Sequence, residues 1–142
     1  MNLIESIVAH EGVVRSGKLH IAYRDHKEKL TIGHGCLLDD RLEISDEVAE
    51  LLLVAEIAEK AGRLRNVRGW EEAGPVRKDV LLEMAFWLGV GGCLRFVKMW
   101  NAVRHSDWPR AAAEMRDSRV WRDPKTRGRM NTLANRMETG TW

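Results

Sequence analysis

The sequence predicts an α+β fold that is mostly helical, with a small antiparallel β-sheet confined to the N-terminal part. Strand-like alternation with a period of two occurs only between Val13 and Gly35. From Asp46 onward, apolar residues recur at helical spacing in one segment after another. The chain has 142 residues, 44% hydrophobic and 31% charged. That is the size and balance of one globular domain able to bury a core without staples.

Leu3 to His10 predicts a helix, because Ile4, Ile7 and Val8 share a face. Glu11 continues that face and Gly12 supplies the stop. A carboxylate there meets the negative end of the helix dipole and is partly desolvated. Both effects raise its pKa, as a general acid requires. A solvated Glu at a frayed helix end is the alternative reading of the same position.

Leu19, Ile21 and Tyr23 alternate with His20, Ala22 and Arg24, which reads as one strand. His26 to Lys29 is a polar turn, and Leu30 to Ile32 resumes a strand. Gly33 and Gly35 mark a tight backbone or close approach by a ligand. Two or three such strands are marginal alone and must pack on a helix.

That helix is expected from Asp46 to about Arg63, capped by Ser45, with Val48, Leu51, Leu52, Ala55, Ile57 and Ala58 on its apolar face. A loop over Asn66–Gly74 follows. Pro75 opens a helix with Val76, Val80, Met84 and Leu88 in one stripe, closed by Gly89 to Gly92. Leu94 to Arg104 is the next helix, with Phe96, Val97, Trp100 and Val103 inward. Asp107 caps another over Trp108–Asp117. Asp123-Pro124 starts the last, which runs to about Glu138 and is ended by Gly140. The expected organisation is a single domain over 1–142: a β lobe at about 13–44, a connecting helix at 46–63, and a helical lobe at 66–142 completed by helix 3–11.

The 23 basic and 21 acidic residues leave a net charge of +2, with the basic excess between Arg95 and Arg136. A mildly basic surface favours an anionic polymer without choosing one. Basic and acidic residues interleave and no nucleic-acid motif is present, so nucleic acid is not the expected partner. The first twelve residues carry acids and no basic leader pattern. Val80–Leu94, the longest apolar stretch, is interrupted by Glu83 and three glycines and is too short to span a bilayer. A cytoplasmic protein without membrane insertion is expected. Cys36 and Cys93 are expected to be free, buried thiols. His20, His26, His34 and Cys36 lack metal-ligand spacing, and there is no P-loop or GxSxG, so no metal or other cofactor is expected.

What remains is Glu11, Asp25 and Thr31. Glycoside hydrolysis needs one protonated and one ionised carboxyl group flanking the scissile bond. Glu11 has two causes for a raised pKa, and Asp25, beside Arg24 in a polar hairpin, is expected to stay ionised. Thr31 offers a hydroxyl to position a water.

The order HEG, YRD, TIGHG, the Ser45-capped helix, PVRKDVLLEMAFWLGVGG, DWPRAAAEMRDSRVW and the final ETGTW resembles the phage-type lysozymes, the T-even phage lysozyme family. The resemblance implies a two-lobed lysozyme-like fold. It also implies cleavage of the β-1,4 bond between N-acetylmuramic acid and N-acetylglucosamine in peptidoglycan, usually with inversion. It makes Glu11 the general acid, Asp25 the second carboxylate, Thr31 the third member of the set, and Arg127 a cation that pairs with the acid and binds substrate beside Gly33 and Gly35. It further implies a monomeric endolysin that leaves the host cytoplasm through a holin-type lesion. Three departures stand out. The Glu11–Asp25 gap is lengthened, as if Val14 to Lys18 were inserted. Cys36 stands where a His is common. Glu138 stands where a basic residue is common. A weakened module that binds peptidoglycan or a protein is the alternative.

Overall fold

The computed structural model describes residues 3–10 and 13–142. It is a mostly helical α+β structure that divides into two compact units, Met1–Asp46 and Glu47–Trp142. No single helix among the described residues is long and apolar enough to cross a membrane.

The N-terminal unit holds helix α1 (Leu3–His10) and five short strands: β1 (Arg15–Ser16), β2 (Leu19–His20), β3 (Tyr23–Arg24), β4 (Leu30–Ile32) and β5 (Cys36–Leu37). The single strand expected from Leu19 to Arg24 is replaced by two ladders. β1 and β2 form one hairpin, and β3–β4–β5 form a separate antiparallel sheet. Periodicity alone does not report the break at Ile21–Ala22, because the alternation runs through it. Register in the larger sheet pairs Tyr23 with Thr31 and Thr31 with Leu37, so Thr31 lies on the central strand. It is the one buried polar residue among those described, 2% exposed.

The C-terminal unit is helical throughout. α2 runs Asp46–Leu64, and α3 runs Gly74–Leu94 after a 3₁₀ turn at Glu71–Ala73. α4 is Val97–Arg104, α5 Trp108–Arg116, α6 Arg119–Arg122 and α7 Pro124–Thr139. Of α2, only Leu64 is buried, while Leu51, Leu52 and Val54 are exposed. On α3 the expected stripe holds at Val80 and Met84, joined by Leu81 and Ala85; Val76 and Leu88 are half-buried at its ends. Gly89, at φ 74° and ψ 157°, breaks the helix where a stop is expected, but a further helical turn continues to Leu94.

The expected inward face of α4 holds at Trp100 and Val103, joined by Met99 and Ala102, but not at its start, where Val97 is exposed and Phe96 half-buried. Leu94 closes α3, so α4 begins only at Val97 and Phe96 lies outside the helix. Asp107 accepts from the Arg110 amide at 3.2 Å, the expected cap of α5. Asp123 caps α7 through the Lys125 amide at 2.9 Å, and Gly140 ends it in the left-handed conformation. The short α6, capped by Ser118, has no counterpart in the sequence reading.

Five methionines, Met84, Met99, Met115, Met130 and Met137, are fully buried with Leu81 and Leu133. Unbranched thioethers fill irregular gaps between helices that cross at different angles. Ala111, Ala112 and Ala134 allow close approach on α5 and α7. Both cysteines are free thiols, but only Cys93 is buried; Cys36 is exposed, contrary to expectation, because two-residue β5 presents it outward.

Candidate active site

Asp25 is the first residue beyond β3, and its hairpin is built around its side chain. Oδ1 accepts from the Lys27 amide at 2.8 Å and from the Lys29 amide at 2.9 Å. The Asp25 amide donates to the Lys29 carbonyl at 2.9 Å, and the Glu28 amide to the Asp25 carbonyl at 2.9 Å. An aspartate that accepts from the amide two residues on makes the side-chain turn that starts such a loop. Glu28 closes it in the left-handed region at φ 59°. A residue with a Cβ rarely adopts that conformation. The Arg24 guanidinium holds it there, donating to the Glu28 carbonyl at 2.8 Å.

These bonds set the charge of Asp25. The Lys29 amide holds the carboxyl below its usual range, assisted by the Lys27 amide and by the charges of His26 and Lys29, against a smaller opposing effect of burial. The expectation that Asp25 stays ionised agrees with this, but by a different cause. Arg24 is spent on Glu28, and backbone amides do the work. Both amide bonds fall on Oδ1; among the described residues Oδ2 accepts none.

Thr31 is brought to Asp25 through Lys29. Its Oγ1 donates to the Lys29 carbonyl at 3.1 Å, the oxygen that also receives the Asp25 amide. Lys29 is therefore the hub of the hairpin, which the sequence reading assigned only to a polar turn. Gly33 and Gly35 lie in the β4–β5 turn at φ 62° and 84°. A Cβ built on Gly33 has nothing within 4 Å. The turn's backbone, not a close approach, is what calls for glycine there.

Arg127 lies on α7 in the other unit. Its Nε donates to the Trp121 carbonyl at 3.1 Å and a terminal nitrogen to the Arg122 carbonyl at 3.2 Å, and the guanidinium lies 4.9 Å from the Trp121 ring centroid. These bonds fix an exposed cation against α6. Glu11, its expected partner and the expected acid, lies outside the described residues. Nearby on the same helix, Arg129 and Arg136 both engage Glu83, and each covers a tryptophan face, Trp87 and Trp142.

A pocket of about 670 Å³ opens in the helical unit where α6 meets the start of α4. Phe96, Met99 and Val120 give it an apolar floor, and Arg95, Lys98 and Arg119 stand at its walls. Among the described residues these three cations have no ion-pair partner, whereas Glu114 pairs with Arg110 and Asp117 with Arg122. The free charge at the pocket is therefore positive. The sequence offers a weak signal for it, two cations in the LRFVK run directly after a glycine-rich helix end. Among the described residues no group of three or more His, Cys, Asp or Glu is placed to hold a metal ion.

The N-terminal unit thus supplies an ionised, preorganised carboxylate, with one oxygen that no described residue engages, and a buried hydroxyl fixed beside it; the helical unit by itself carries a cationic surface. No protein-family model matches the chain. The chain is similar to a phage protein, the pre-baseplate central spike protein Gp5 of Enterobacteria phage T4, with 32% identity over 104 residues. The match takes in 68% of this chain and spans only 17% of that relative's length.

Proposed function

We propose that the chain is a peptidoglycan hydrolase of the phage-type lysozyme class, cleaving the β-1,4 bond between N-acetylmuramic acid and N-acetylglucosamine. One observation carries the reading: Asp25 is held ionised by two backbone amides, with Oδ2 accepting from no described residue and the Thr31 hydroxyl fixed through Lys29. A carboxylate that must take a proton from water needs this arrangement, because its charge and direction are set before substrate arrives. Glu11 is the proposed acid that protonates the leaving oxygen, and inversion at the anomeric carbon is the proposed outcome. The unpaired cations at the helical pocket, with Arg127, suit a polymer whose repeats carry carboxylates on short peptides. Similarity to a phage spike protein supports a role in phage attack on the cell envelope. Action as a monomer, released from the host cytoplasm through a holin-type lesion, belongs to the same proposal.

The test is clearing of purified peptidoglycan by the wild type, Glu11→Gln and Asp25→Asn side by side, with product analysis. Clearing by the wild type alone, releasing new reducing ends at muramic acid, supports the assignment. Clearing by all three refutes both residues.

A second reading is a module that binds peptidoglycan or a protein partner without cleaving it. Its support is that Oδ1 of Asp25 makes the bonds of an ordinary turn-forming aspartate. Folded wild type that sediments with the wall and never clears it favours this reading.

A further inference from the structure

Two imidazoles outside the Asp25–Thr31 pair meet in the N-terminal unit. His20 ends β2, and His34 sits between Gly33 and Gly35 in the β4–β5 turn. Their ring centroids are 5.1 Å apart and their planes lie at 72°. The contact joins two ladders that share no backbone pairing.

His20 is half-buried, and its Nδ1 is closed to solvent with no hydrogen-bond partner among the described residues. A ring that lacks an acceptor at a buried nitrogen gains nothing there from a second N–H. Arg15 stands opposite His20 across the β1–β2 ladder, with its guanidinium donating to the Lys18 carbonyl at 3.3 Å. Burial first, then Arg15 from β1, then His34 from the turn, all push the His20 pKa below its ordinary 6.5. No carboxylate among the described residues offsets them. Neutral rings pack edge to face. Two imidazolium rings at this separation repel.

We propose that His20 and His34 form a proton-operated latch, in which the neutral pair holds the Gly33–Gly35 turn against β2 and protonation releases it. The sign follows from linkage. A folded-state pKa below the unfolded one gives stability that is complete above 6.5 and is lost as pH falls through the lowered value. Because the turn carries Gly33 and Gly35, release in acid loosens a proposed substrate-binding segment. That last consequence rests on the hydrolase reading; the latch itself does not.

The test therefore uses no substrate. Imidazole resonances and amide exchange are followed by NMR on the full chain between about pH 8 and pH 5. After correction for intrinsic rates, exchange of the Ile32 and Cys36 amides, in the ladder pair that closes the turn, rises by up to roughly tenfold per pH unit as pH falls below 6.5 and levels off below the His20 transition. The Lys29 amide, bonded to Asp25, stays protected and reports that the neighbouring hairpin is intact. In His20→Asn the acid step in exchange disappears. His34→Gln likewise abolishes the step, and His26→Gln, in the other turn, keeps it. Persistence of the step in both variants, or loss of Lys29 protection together with the turn, would each overturn the latch.

Discussion

Replacing Thr31 with valine separates holding the hairpin from doing chemistry. Valine keeps the branched shape that a central strand position favours, so β4 is retained. The change removes one hydrogen bond, from Oγ1 to the Lys29 carbonyl at 3.1 Å, at a residue only 2% exposed. The carbonyl is not orphaned, because the Asp25 amide still donates to it at 2.9 Å. The cost is then the net value of one neutral hydrogen bond, about 1 kcal/mol, without a penalty for a stranded acceptor. One kcal/mol is roughly a fivefold rise in hairpin opening. Exchange of the Lys29 amide, which is bonded to Asp25, reads that opening directly. If Thr31 also positions the attacking water, peptidoglycan clearing falls by about 100-fold, the size of effect that misplacement of a reacting group produces. Thr31→Ser keeps the hydroxyl and restores most of the clearing. Loss of clearing only in proportion to the fivefold opening would refute a catalytic role and leave Thr31 as a clamp on Lys29.

Asp25→Asn retains an oxygen that accepts from the Lys27 and Lys29 amides, so circular dichroism stays unchanged while clearing is lost. Because the Asp25 pKa is held below 3.8, the wild-type hairpin keeps its stability above that value and loses it as pH falls through the lowered one; Asp25→Asn removes this acid step in amide exchange. Trp100→Ala empties a site 5% exposed and removes the bond from its Nε1 to the Cys93 carbonyl at 3.1 Å, an oxygen that still accepts from the Phe96 amide, so denaturant melts show a loss of about 3–5 kcal/mol. Trp87→Ala, at a half-buried ring covered by Arg129, costs about 1–2 kcal/mol, and equal losses at the two sites would contradict the packing. A thiol reagent labels Cys36 in the native protein. It reaches Cys93, whose thiol burial pushes up to about 12, only after unfolding. Gly140→Ala forces a Cβ against the Arg77 guanidinium at 2.9 Å and into φ 72°, so the helical unit loses about 1–2 kcal/mol in the same melts.

Helix ends were legible in the sequence because their signals are local. Asp107, Asp123 and Gly140 act within a few residues of themselves, and each is found doing so. Burial was legible where an apolar stripe is long, as on α3, and at Trp100 and Val103 of α4, but failed at the α4 start, where the helix begins at Val97 and not at Leu94. At the site, residue types pointed to Asp25 and Thr31. Nothing in a linear sequence showed that Lys29 would join them through its own amide and carbonyl. Backbone groups are common to every residue, so composition does not mark the ones that set a pKa. The positive pocket was hidden for a related reason. Its charge depends on which cations are already paired: Arg110 and Arg122 take up Glu114 and Asp117, and Arg95, Lys98 and Arg119 have no ion-pair partner among the described residues.

For the proposed lysozyme reading, the lengthened gap between Glu11 and Asp25 is the departure that bears most on function, and the N-terminal unit answers part of it. Val14 to Lys18 do not extend the strand that leads to Asp25. Arg15 and Ser16 pair with His20 and Leu19 as a hairpin of their own, and the Ile21 amide closes it on the Val14 carbonyl at 3.0 Å. Gly17, at φ 59°, takes the first central position of its two-residue turn, where a tight hairpin asks for glycine. Val14 to Lys18 are thus folded out as a separate ladder before β3 begins. Among the described residues the bonds that hold Asp25 in its turn come from Lys27, Glu28 or Lys29, downstream of that ladder. The geometry of Asp25 and Thr31 therefore does not depend on bonds from Val14 to Lys18. An activity deficit traced to the extra residues would have to act through the position of Glu11 and not through Asp25. Deleting Val14 to Lys18 should accordingly leave Lys29 amide protection unchanged, whatever it does to clearing.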